Sequence, residues 1–197
     1  MDLLLVRHGQ PERVDAEHPD AEPADPGLTA QGHLEAKNTA EWLRGETIDH
    51  IVSSPLLRAR ETAIPLADAL GLGVEIHDDL AEYDRNAPHY IPLEQMVTED
   101  HEQITALVEG RWEDYGGENP AEFADRVLAT VEGIIERHEG QRVVAFCHGG
   151  VINAYLAHVI QLDRPLWFYP EYGSIHRVAA LHDGIRMLVS LNELPRS

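Results

Sequence analysis

The stretch LLLVRHG, residues 3–9, places Arg7, His8 and Gly9 directly after four apolar residues. An apolar run of this length is consistent with a buried β-strand. Burying an arginine at the end of a core strand costs free energy of desolvation unless an anion lies beside it. The stretch therefore predicts a strand that ends at a site for an anionic ligand.

A second stretch has the same arrangement. In RVVAFCHGGVINAYL, residues 142–156, His148 and Gly149 follow an apolar run and precede an apolar helix. Parallel strands of an open α/β sheet bring their carboxyl ends to one edge, and ligands bind beyond that edge. A glycine after each histidine lets a ligand approach closely, and its backbone N–H can face an anion at a helix start. We therefore expect the two stretches to form one site.

The rest of the chain alternates short apolar runs with helix-like stretches, which is typical of a doubly wound α/β domain. Further strands are predicted by HIVSS at 50–54, VEIH at 74–77 and SIHRVAALHDGIRMLVSL at 174–191. The last stretch contains Asp183 followed by Gly184, a strong signal for the turn of a β-hairpin. The predicted fold class is therefore a three-layer α/β/α domain with a mixed, mainly parallel sheet.

Two helices are predicted with an N-cap and an apolar face. The first lies within residues 28–43 and begins after Thr29. The second lies within residues 119–138, with Asn119 as its cap and Pro120 at the first helical position. The residues predicted to face the core are Leu34, Trp42 and Leu43 in the first helix and Phe123, Val127, Val131 and Ile134 in the second.

Residues 83–117 start irregular and become helical around residues 93–109, and we interpret them as an insertion. The length of 197 residues otherwise suits one domain with one continuous core. The predicted organisation is a single domain, residues 1–197, with a small cap at about 83–117 over the carboxyl edge of the sheet. The candidate substrate contacts of this cap are Arg85, His89, Tyr90 and Trp112, with packing between cap and domain as the alternative for the last two.

The chain is strongly acidic, with 15 Lys and Arg against 35 Asp and Glu and a formal net charge of -20. This balance argues against nucleic acid or an anionic membrane as a partner of the general surface. The apolar run at residues 3–6 is too short for the core of a signal peptide, and no other run approaches a membrane span. Because Cys147 is the one cysteine, an intramolecular disulfide is impossible, and we expect a cytoplasmic protein.

A third strand-to-helix junction adds positive charge to the predicted site. The strand HIVSS runs into PLLRARETA, which carries Arg58 and Arg60. Arg58 would join Arg7, His8 and His148 in a compact basic pocket, whereas Arg60 is expected on the surface. Arginine pairs bidentately with phosphate oxygens, and phosphoryl transfer needs positive charge around those oxygens. The predicted pocket therefore suits a phosphate group.

Four motifs follow one another along the chain: LLVRHG, SSPLLRARETA, LAEY and HGGVI. In this order they resemble the histidine phosphatase superfamily, the phosphoglycerate mutase-like proteins, over nearly the whole chain. The resemblance implies that His8 is the nucleophile that becomes phosphohistidine and that Glu82 of LAEY is the proton donor. It also implies a set of phosphate-binding residues, which are Arg7, Gly9, Gln10, Arg58, His148 and Gly149. No metal or cofactor is implied, because the arginines neutralise the phosphate charge.

The chain departs from the family pattern in three places, the first being Gln10-Pro11 where Glu-Thr or Glu-Ser often follows RHG. A tryptophan-bearing run often follows the acid, and YDRNAPHYIP stands in its place here, so Asp79 and Asp84 stay open as alternatives to Glu82. An arginine commonly follows HGGVI, and here that position is Asn153. We therefore expect a substrate contact or salt bridge made there in relatives to be absent.

Cysteine and metal chemistry are the competing interpretations. Cys147 begins CHGGVIN, and cysteine-dependent phosphatases place an arginine six residues after the nucleophile. That position is Asn153, which favours a core role for Cys147. The histidines form no HExxH or HxxxH pair, so no metal site is predicted.

The predicted activity is hydrolysis of a phosphomonoester, either a small phosphorylated metabolite or a phosphorylated side chain. A phosphoglycerate mutase, which must exclude water from its site, is the first alternative. The chain lacks longer insertions like those of cofactor-dependent mutases, which favours hydrolysis. A protein that binds a phosphorylated ligand without turnover is the second alternative. Trp167, Phe168 and Tyr169 are expected either in the core or in an interface, the latter in a homodimer.

Overall fold

The computed structural model describes residues 1–15, 22–99, 101–164 and 166–195. The strands are β1 (Asp2–Arg7), β2 (His50–Ser53), β3 (Val74–Ile76), β4 (Arg142–Cys147), β5 (Ile175–Ala180) and β6 (Arg186–Glu193). They form one sheet in the order β3-β2-β4-β1-β5-β6. Strands β1 to β4 run parallel, and β5 is antiparallel to both of its neighbours. The mixed, mainly parallel sheet is therefore confirmed, with a strand in each predicted stretch.

The α-helices of the described residues are α1 (Ala30–Leu43), α2 (Leu57–Leu70), α3 (Leu93–Glu99), α4 (His101–Val108), α5 (Pro120–Arg137) and α6 (Gly149–Ile160). Alternate side chains of a strand point to opposite faces of the sheet. Leu3 and Leu5 of β1 accordingly pack in one core cluster with α5 and α6, whereas Leu4 and Val6 pack with α1 and α2. The sheet thus lies between two helical layers. No helix in the described ranges is both long and apolar enough to span a membrane.

Both predicted N-caps are confirmed. The Thr29 hydroxyl accepts a hydrogen bond from the Gly32 N–H at 3.0 Å, and the Asn119 side chain accepts one from the Ala121 N–H at 3.0 Å. Each cap satisfies a backbone donor that the first helical turn cannot pair. The predicted apolar face of α5 is also buried. These local signals therefore suffice to locate the starts of α1 and α5.

The predicted core face of α1 is wrong at two of its three positions. Leu34 and Trp42 are 54% and 45% exposed, and only Leu43 is buried. The rest of the buried face consists of small residues, which are Gly32, Ala36, Thr39 and Ala40. The helix packs so closely that a Cβ on Gly32 would collide with the carbonyl oxygen of Gln10. Close backbone approach therefore selects small residues here, and the large apolar ones face outward.

Residues 83–117 contain α3, α4 and a short 3-10 turn at Trp112–Tyr115, while Asp100 lies outside the described residues. The predicted helical part is thus divided between two short helices. Met96, Leu107 and Trp112 pack in the same core cluster as α5 and α6. The division of the chain into one domain with a cap at about 83–117 stays a prediction.

Strands β1, β4 and β2 end side by side at one edge of the sheet. Arg7 pairs with Cys147, and Phe146 pairs with Ser53, in the strand register. The residues that follow these strands are His8, His148 and Ser54. The register therefore brings three polar side chains from distant parts of the sequence to neighbouring points.

Candidate active site

His8 and His148 leave the sheet next to each other. The His8 N–H donates to the carbonyl oxygen of Cys147 at 3.0 Å, which extends the pairing of β1 and β4 by one residue. The two imidazole ring centres lie 5.0 Å apart. His8 is 2% exposed, and His148 is fully buried. The structure thus brings together the two histidines that the sequence singled out.

Arg7 is buried at the same edge and is held by aromatic rings. Its Nη1 donates to the carbonyl oxygen of Pro170 at 2.6 Å. Its guanidinium carbon lies 3.9 Å from the centre of the Tyr172 ring and 5.0 Å from that of the Tyr169 ring. Such cation–π contacts are strongest where water is excluded. The tyrosines therefore orient the guanidinium and leave N–H donors available to a ligand.

Arg58 enters the same cluster from α2 and is 1% exposed. Its guanidinium carbon lies 4.5 Å from the centre of the Tyr90 ring, and its Nη2 lies 3.5 Å from Oδ1 of Asp84. This long contact with Asp84 satisfies only one of the guanidinium nitrogens. Arg60, by contrast, is exposed, as the sequence predicts.

The backbone determines the tautomer of His8. Its Nδ1 lies 2.7 Å from the carbonyl oxygen of Gly9. A carbonyl can only accept, so Nδ1 carries the proton and Nε2 keeps its lone pair. Burial, and then the positive charges of Arg58 and Arg7, lower the pKa of His8 well below 6.5. The ring is therefore neutral at physiological pH, and its Nε2 can act as a nucleophile.

Ser54 holds the second histidine. Nε2 of His148 lies 2.7 Å from the Ser54 hydroxyl oxygen, which also accepts the Leu56 N–H at 3.3 Å. A hydroxyl that already accepts one N–H can donate its own proton to Nε2, and in that arrangement Nδ1 of His148 carries the hydrogen. Burial, followed by the charge of Arg58, lowers the pKa of His148 well below 6.5. A neutral His148 thus offers one N–H donor to the cluster.

Among the residues that the structure describes, four buried nitrogen atoms of this cluster find no hydrogen-bond partner: Arg7 Nε, Arg58 Nε, Arg58 Nη1 and His148 Nδ1. Buried donors without a partner cost free energy and are rare in native proteins. Arginine and histidine donors gathered around one point are suited to an oxyanion with several acceptor oxygens. The cluster therefore has the charge and the donors of a phosphate site.

Glu82 supplies a carboxyl group to the same place. It is 7% exposed, and it accepts hydrogen bonds from the Gly150 N–H at 2.8 Å and the Tyr83 N–H at 3.2 Å. Burial, and then the charge of Asp84, raises the pKa of Glu82 to about 7. A carboxyl group with this pKa can donate a proton and accept one near neutral pH.

The other two candidate acids lie in different surroundings. Asp84 lines the same cavity as Glu82, and burial raises its pKa despite the nearby charge of Arg58. Asp79 is exposed and lies outside that cavity, where its backbone oxygen accepts a hydrogen bond from Arg126 Nη1 at 2.6 Å. Asp84 therefore remains a neighbour of the cluster, and Asp79 does not.

The backbone N–H groups of Gly9 and Gln10, two residues predicted to bind the phosphate, have partners inside the fold. The Gly9 N–H donates to the Thr62 hydroxyl at 3.0 Å, and the Gln10 N–H donates to Glu35 Oε2 at 2.7 Å. Neither residue lines the cavity. Packing also requires a glycine at position 9, because a Cβ there would collide with the carbonyl oxygen of Gly32. Both backbone donors are thus consumed inside the fold.

A cavity of about 370 Å³ connects the cluster with an apolar space. Arg7, His8, Arg58, Glu82 and Gly149 line its polar end, and His148 reaches the cluster without lining the cavity. Apolar side chains of α3 and α4 line the other part, together with the aromatic residues Trp167, Phe168 and Tyr169. The sequence predicts core or interface for these aromatics. The sequence feature that could have predicted this aromatic wall is the run WFYPEY at residues 167–172.

The candidate contacts from the predicted cap divide into two groups. His89 and Tyr90 line the cavity. Arg85 instead forms an ion pair with Glu118 at 2.6 Å, and Trp112 is 1% exposed and packs in the core. Packing, the alternative left open for Trp112, is therefore what the structure shows.

The competing chemistries can be compared with the same geometry. Cys147 is fully buried, and burial raises the pKa of its thiol. A buried, protonated thiol in the core is inert, so it does not serve as a nucleophile. Among the residues that the structure describes, no group of three or more His, Cys, Asp or Glu side chains is placed to hold a metal ion.

Asn153, which stands where an arginine is common, has a structural role. Its amide nitrogen donates to the carbonyl oxygens of Gly149 and Phe168. Its amide oxygen accepts hydrogen bonds from the backbone N–H groups of Trp167 and Phe168. All of these partners belong to the main chain. Asn153 therefore joins the start of α6 to the aromatic wall of the cavity.

One curated relative is similar to this chain in sequence, and two solved structures share its fold. A probable phosphoglycerate mutase GpmB of Salmonella choleraesuis (strain SC-B67) is 30% identical over 169 residues, which are 85% of this chain and 77% of that protein. A mutant phosphoserine phosphatase of Entamoeba histolytica in complex with phosphoserine has a TM-score of 0.77 at 21% identity, with 98% of this chain and 96% of that chain covered. A mycobacterial glucosyl-3-phosphoglycerate phosphatase complexed with VO3 has a TM-score of 0.76 at 23% identity, with 97% and 98% covered.

The family comparison extends over all the elements that carry the site. The model of the histidine phosphatase superfamily, branch 1, matches residues 3–193. This range includes the ends of β1 and β4, the start of α2 and the start of α6. The chain therefore belongs to the histidine phosphatase superfamily, branch 1.

Proposed function

We propose that this protein hydrolyses a phosphomonoester through a phosphohistidine formed on His8. The observation that carries the proposal is the gathering of Arg7, Arg58 and His148 around a neutral His8, with four of their buried nitrogen atoms unpartnered. A bound phosphate would supply the missing acceptors. Family membership supports the same chemistry, because the similar proteins are named as phosphatases and as a probable phosphoglycerate mutase.

In the first half-reaction, Nε2 of His8 attacks phosphorus in line with the ester oxygen. The N–P bond forms while the P–O ester bond breaks, and Glu82 gives its proton to the departing alkoxide. Arg7 and Arg58 neutralise the charge that spreads over the other phosphoryl oxygens. The alcohol then leaves, and the phosphoryl group stays on His8.

In the second half-reaction, a water molecule attacks the phosphohistidine. The N–P bond breaks, the water gives a proton to the carboxylate of Glu82, and inorganic phosphate leaves. The pKa of about 7 suits Glu82 to both directions of proton transfer. Asp84, in the same cavity, is the alternative acid.

Phosphoglycerate mutase activity is the second candidate, because the relative at 30% identity carries that name. A mutase returns the phosphoryl group to its substrate and keeps water away from the intermediate. Release of inorganic phosphate therefore indicates hydrolysis, and interconversion of the two phosphoglycerates without release indicates a mutase.

The test is phosphate release from p-nitrophenyl phosphate and from a panel of sugar and glycerate phosphates, in EDTA, for wild type and His8→Ala. We expect turnover by wild type and a loss of at least about 1,000-fold in the variant. Circular dichroism verifies that the variant is folded. Substantial turnover by His8→Ala would rule out this nucleophile. Loss in EDTA with recovery on adding a divalent metal would contradict the metal-free mechanism, and neither activity would indicate a binding protein.

A further inference from the structure

We call the group formed by Arg7, His8, Arg58 and His148 the phosphate cluster. The cavity continues from this cluster into a space with apolar walls. We call this part the apolar chamber; its walls include Leu93, Met96, Ile104, Leu107, Trp167 and Phe168. The whole cavity, about 370 Å³, lies at the small end of the range of about 300–1,000 Å³ that small-molecule sites occupy. The chamber therefore has room for a small organic group attached to the phosphate.

The two amide side chains of the described residues that line the cavity, those of Gln103 and Asn153, already have partners within the protein. Asn153 makes all of its side-chain hydrogen bonds to the main chain of Gly149, Trp167 and Phe168. Gln103 is 6% exposed, and it already interacts with another group of the protein. A polyhydroxylated group such as a sugar would lose its hydrogen bonds to water here and regain few of them.

Formal charge is confined to the phosphate end. Among the described residues that line the cavity, the lysine and arginine side chains are those of Arg7 and Arg58, and the carboxyl groups are those of Glu82 and Asp84. A second anionic group on the ligand, such as the carboxylate of a phosphoglycerate, would find no further arginine or lysine, one histidine (His89) and two nearby carboxyl groups. No arginine or lysine beyond the phosphate end would therefore compensate its desolvation.

We propose that the substrate is a phosphate monoester of an apolar alcohol, aromatic or aliphatic, whose hydrocarbon part fills the apolar chamber. The proposal rests on the proposed function, which places the phosphate beside His8. Burial of hydrocarbon strengthens binding about fourfold for each methylene removed from water. The rings of Trp167 and Phe168 add faces against which an aromatic group can pack.

The experiment compares kcat/KM for ethyl, butyl and hexyl phosphate, whose leaving groups differ little in acidity. We expect hexyl phosphate to exceed ethyl phosphate at least about tenfold, and also to exceed 3-phosphoglycerate and O-phosphoserine. Binding of the matching alkylphosphonates, which cannot be hydrolysed, is measured by calorimetry. Affinity should rise along the same series.

Two lysine substitutions, at positions of similar exposure, test whether the hydrocarbon part of the substrate binds in the apolar chamber. Val97 lines the cavity and is 48% exposed, whereas Ile64 lies outside it on α2 and is 49% exposed. Val97→Lys should reduce the increase in kcat/KM from ethyl to hexyl phosphate, and it should raise kcat/KM for 3-phosphoglycerate. Ile64→Lys should leave both values as in the wild type.

The outcomes separate this inference from the proposed function. One contrary result is phosphate release with equal kcat/KM for all three alkyl phosphates, and another is release with a higher kcat/KM for 3-phosphoglycerate than for hexyl phosphate. Either result would contradict the proposal of an apolar substrate and leave the proposed hydrolase activity in place. No release from any ester, with phosphonate affinity still rising with chain length, would overturn the hydrolase and support the chamber. An alkylphosphonate affinity that does not change with chain length would contradict binding of hydrocarbon in the apolar chamber, whether or not phosphate is released.

Discussion

Oε2 of Glu82 lies 2.8 Å from the backbone nitrogen of Gly150, and the two residues are 68 positions apart. The contact joins the segment after β3 to the first turn of α6. Backbone N–H groups at a helix start favour a carboxylate, whereas burial favours the neutral carboxylic acid. The balance of the two leaves Glu82 with a raised pKa of about 7.

The raised pKa predicts a pH dependence that differs between substrates. As pH rises through about 7, Glu82 loses the proton that an alkyl leaving group needs, so kcat/KM for an alkyl phosphate should fall. With p-nitrophenyl phosphate the fall should be weaker, because nitrophenolate leaves without a proton. Glu82→Gln should slow the alkyl phosphate far more than p-nitrophenyl phosphate. Equal losses on both substrates would point to Asp84 or another acid.

Gly150→Ala should disturb the acid without removing it. A Cβ at this position would collide with Glu82 Oε1 and lie 3.1 Å from a ring carbon of Tyr83. We expect the ratio of alkyl to p-nitrophenyl phosphate turnover to fall at least about tenfold. Gly149→Ala is the matched control, because its Cβ would lie an ordinary 3.7 Å from Arg7 Nε. Similar ratios for the two variants would contradict the close packing of Gly150 against Glu82.

Ser54→Ala should weaken the site through His148. The change removes the hydroxyl 2.7 Å from His148 Nε2 and leaves that buried nitrogen unpaired, at a cost of about 1–3 kcal/mol. We expect kcat/KM to fall about 10-fold to 100-fold in a steady-state assay. Ser53→Ala is the control, since its equally buried hydroxyl donates to the Ser54 carbonyl oxygen and not to a histidine. Equal losses in both variants would mean that the hydroxyl of Ser54 acts through the fold alone.

Tyr172→Leu should weaken phosphate binding. The ring lies 3.9 Å from the guanidinium carbon of Arg7, and a desolvated cation–π contact contributes about 2 kcal/mol. We expect the inhibition constant of inorganic phosphate to rise about tenfold or more. Tyr172→Phe keeps the ring and loses only the hydroxyl bond to Glu94, so its inhibition constant should stay near the wild-type value. If both variants bind phosphate equally well, the ring does not position Arg7.

Local sequence signals predicted the strands and the best-defined helices. The apolar runs of β1 and β4, the caps Thr29 and Asn119, and the turn at Asp183 each depend on residues close together in the chain. Both partners in such a local interaction lie in one short segment of the sequence. A pattern within that segment is therefore enough to predict the interaction. The same patterns located the two histidines, because they lie at strand ends.

Patterns were a poorer guide where packing between distant elements decides the outcome. Helicity alone predicts a core position for Leu34 in α1, yet close contact of this helix with the backbone near Gln10 admits only small residues on its inner face. The Gly9 N–H is a plausible anion donor from its place after a strand, but Thr62 of α2 accepts it. Neither partner lies near its residue in the sequence.

The reactive residues of the phosphate cluster can thus be predicted from the sequence. The groups that surround them are known only from the folded structure. Arg7, His8 and His148 could be named from their positions after two apolar strands, since parallel strands must end at one edge. The rings over the arginines, the neighbour that sets the pKa of Glu82 and the apolar chamber all come from segments far apart in sequence. Burial and desolvation depend on every element that packs around a group, so only the tertiary structure determines them.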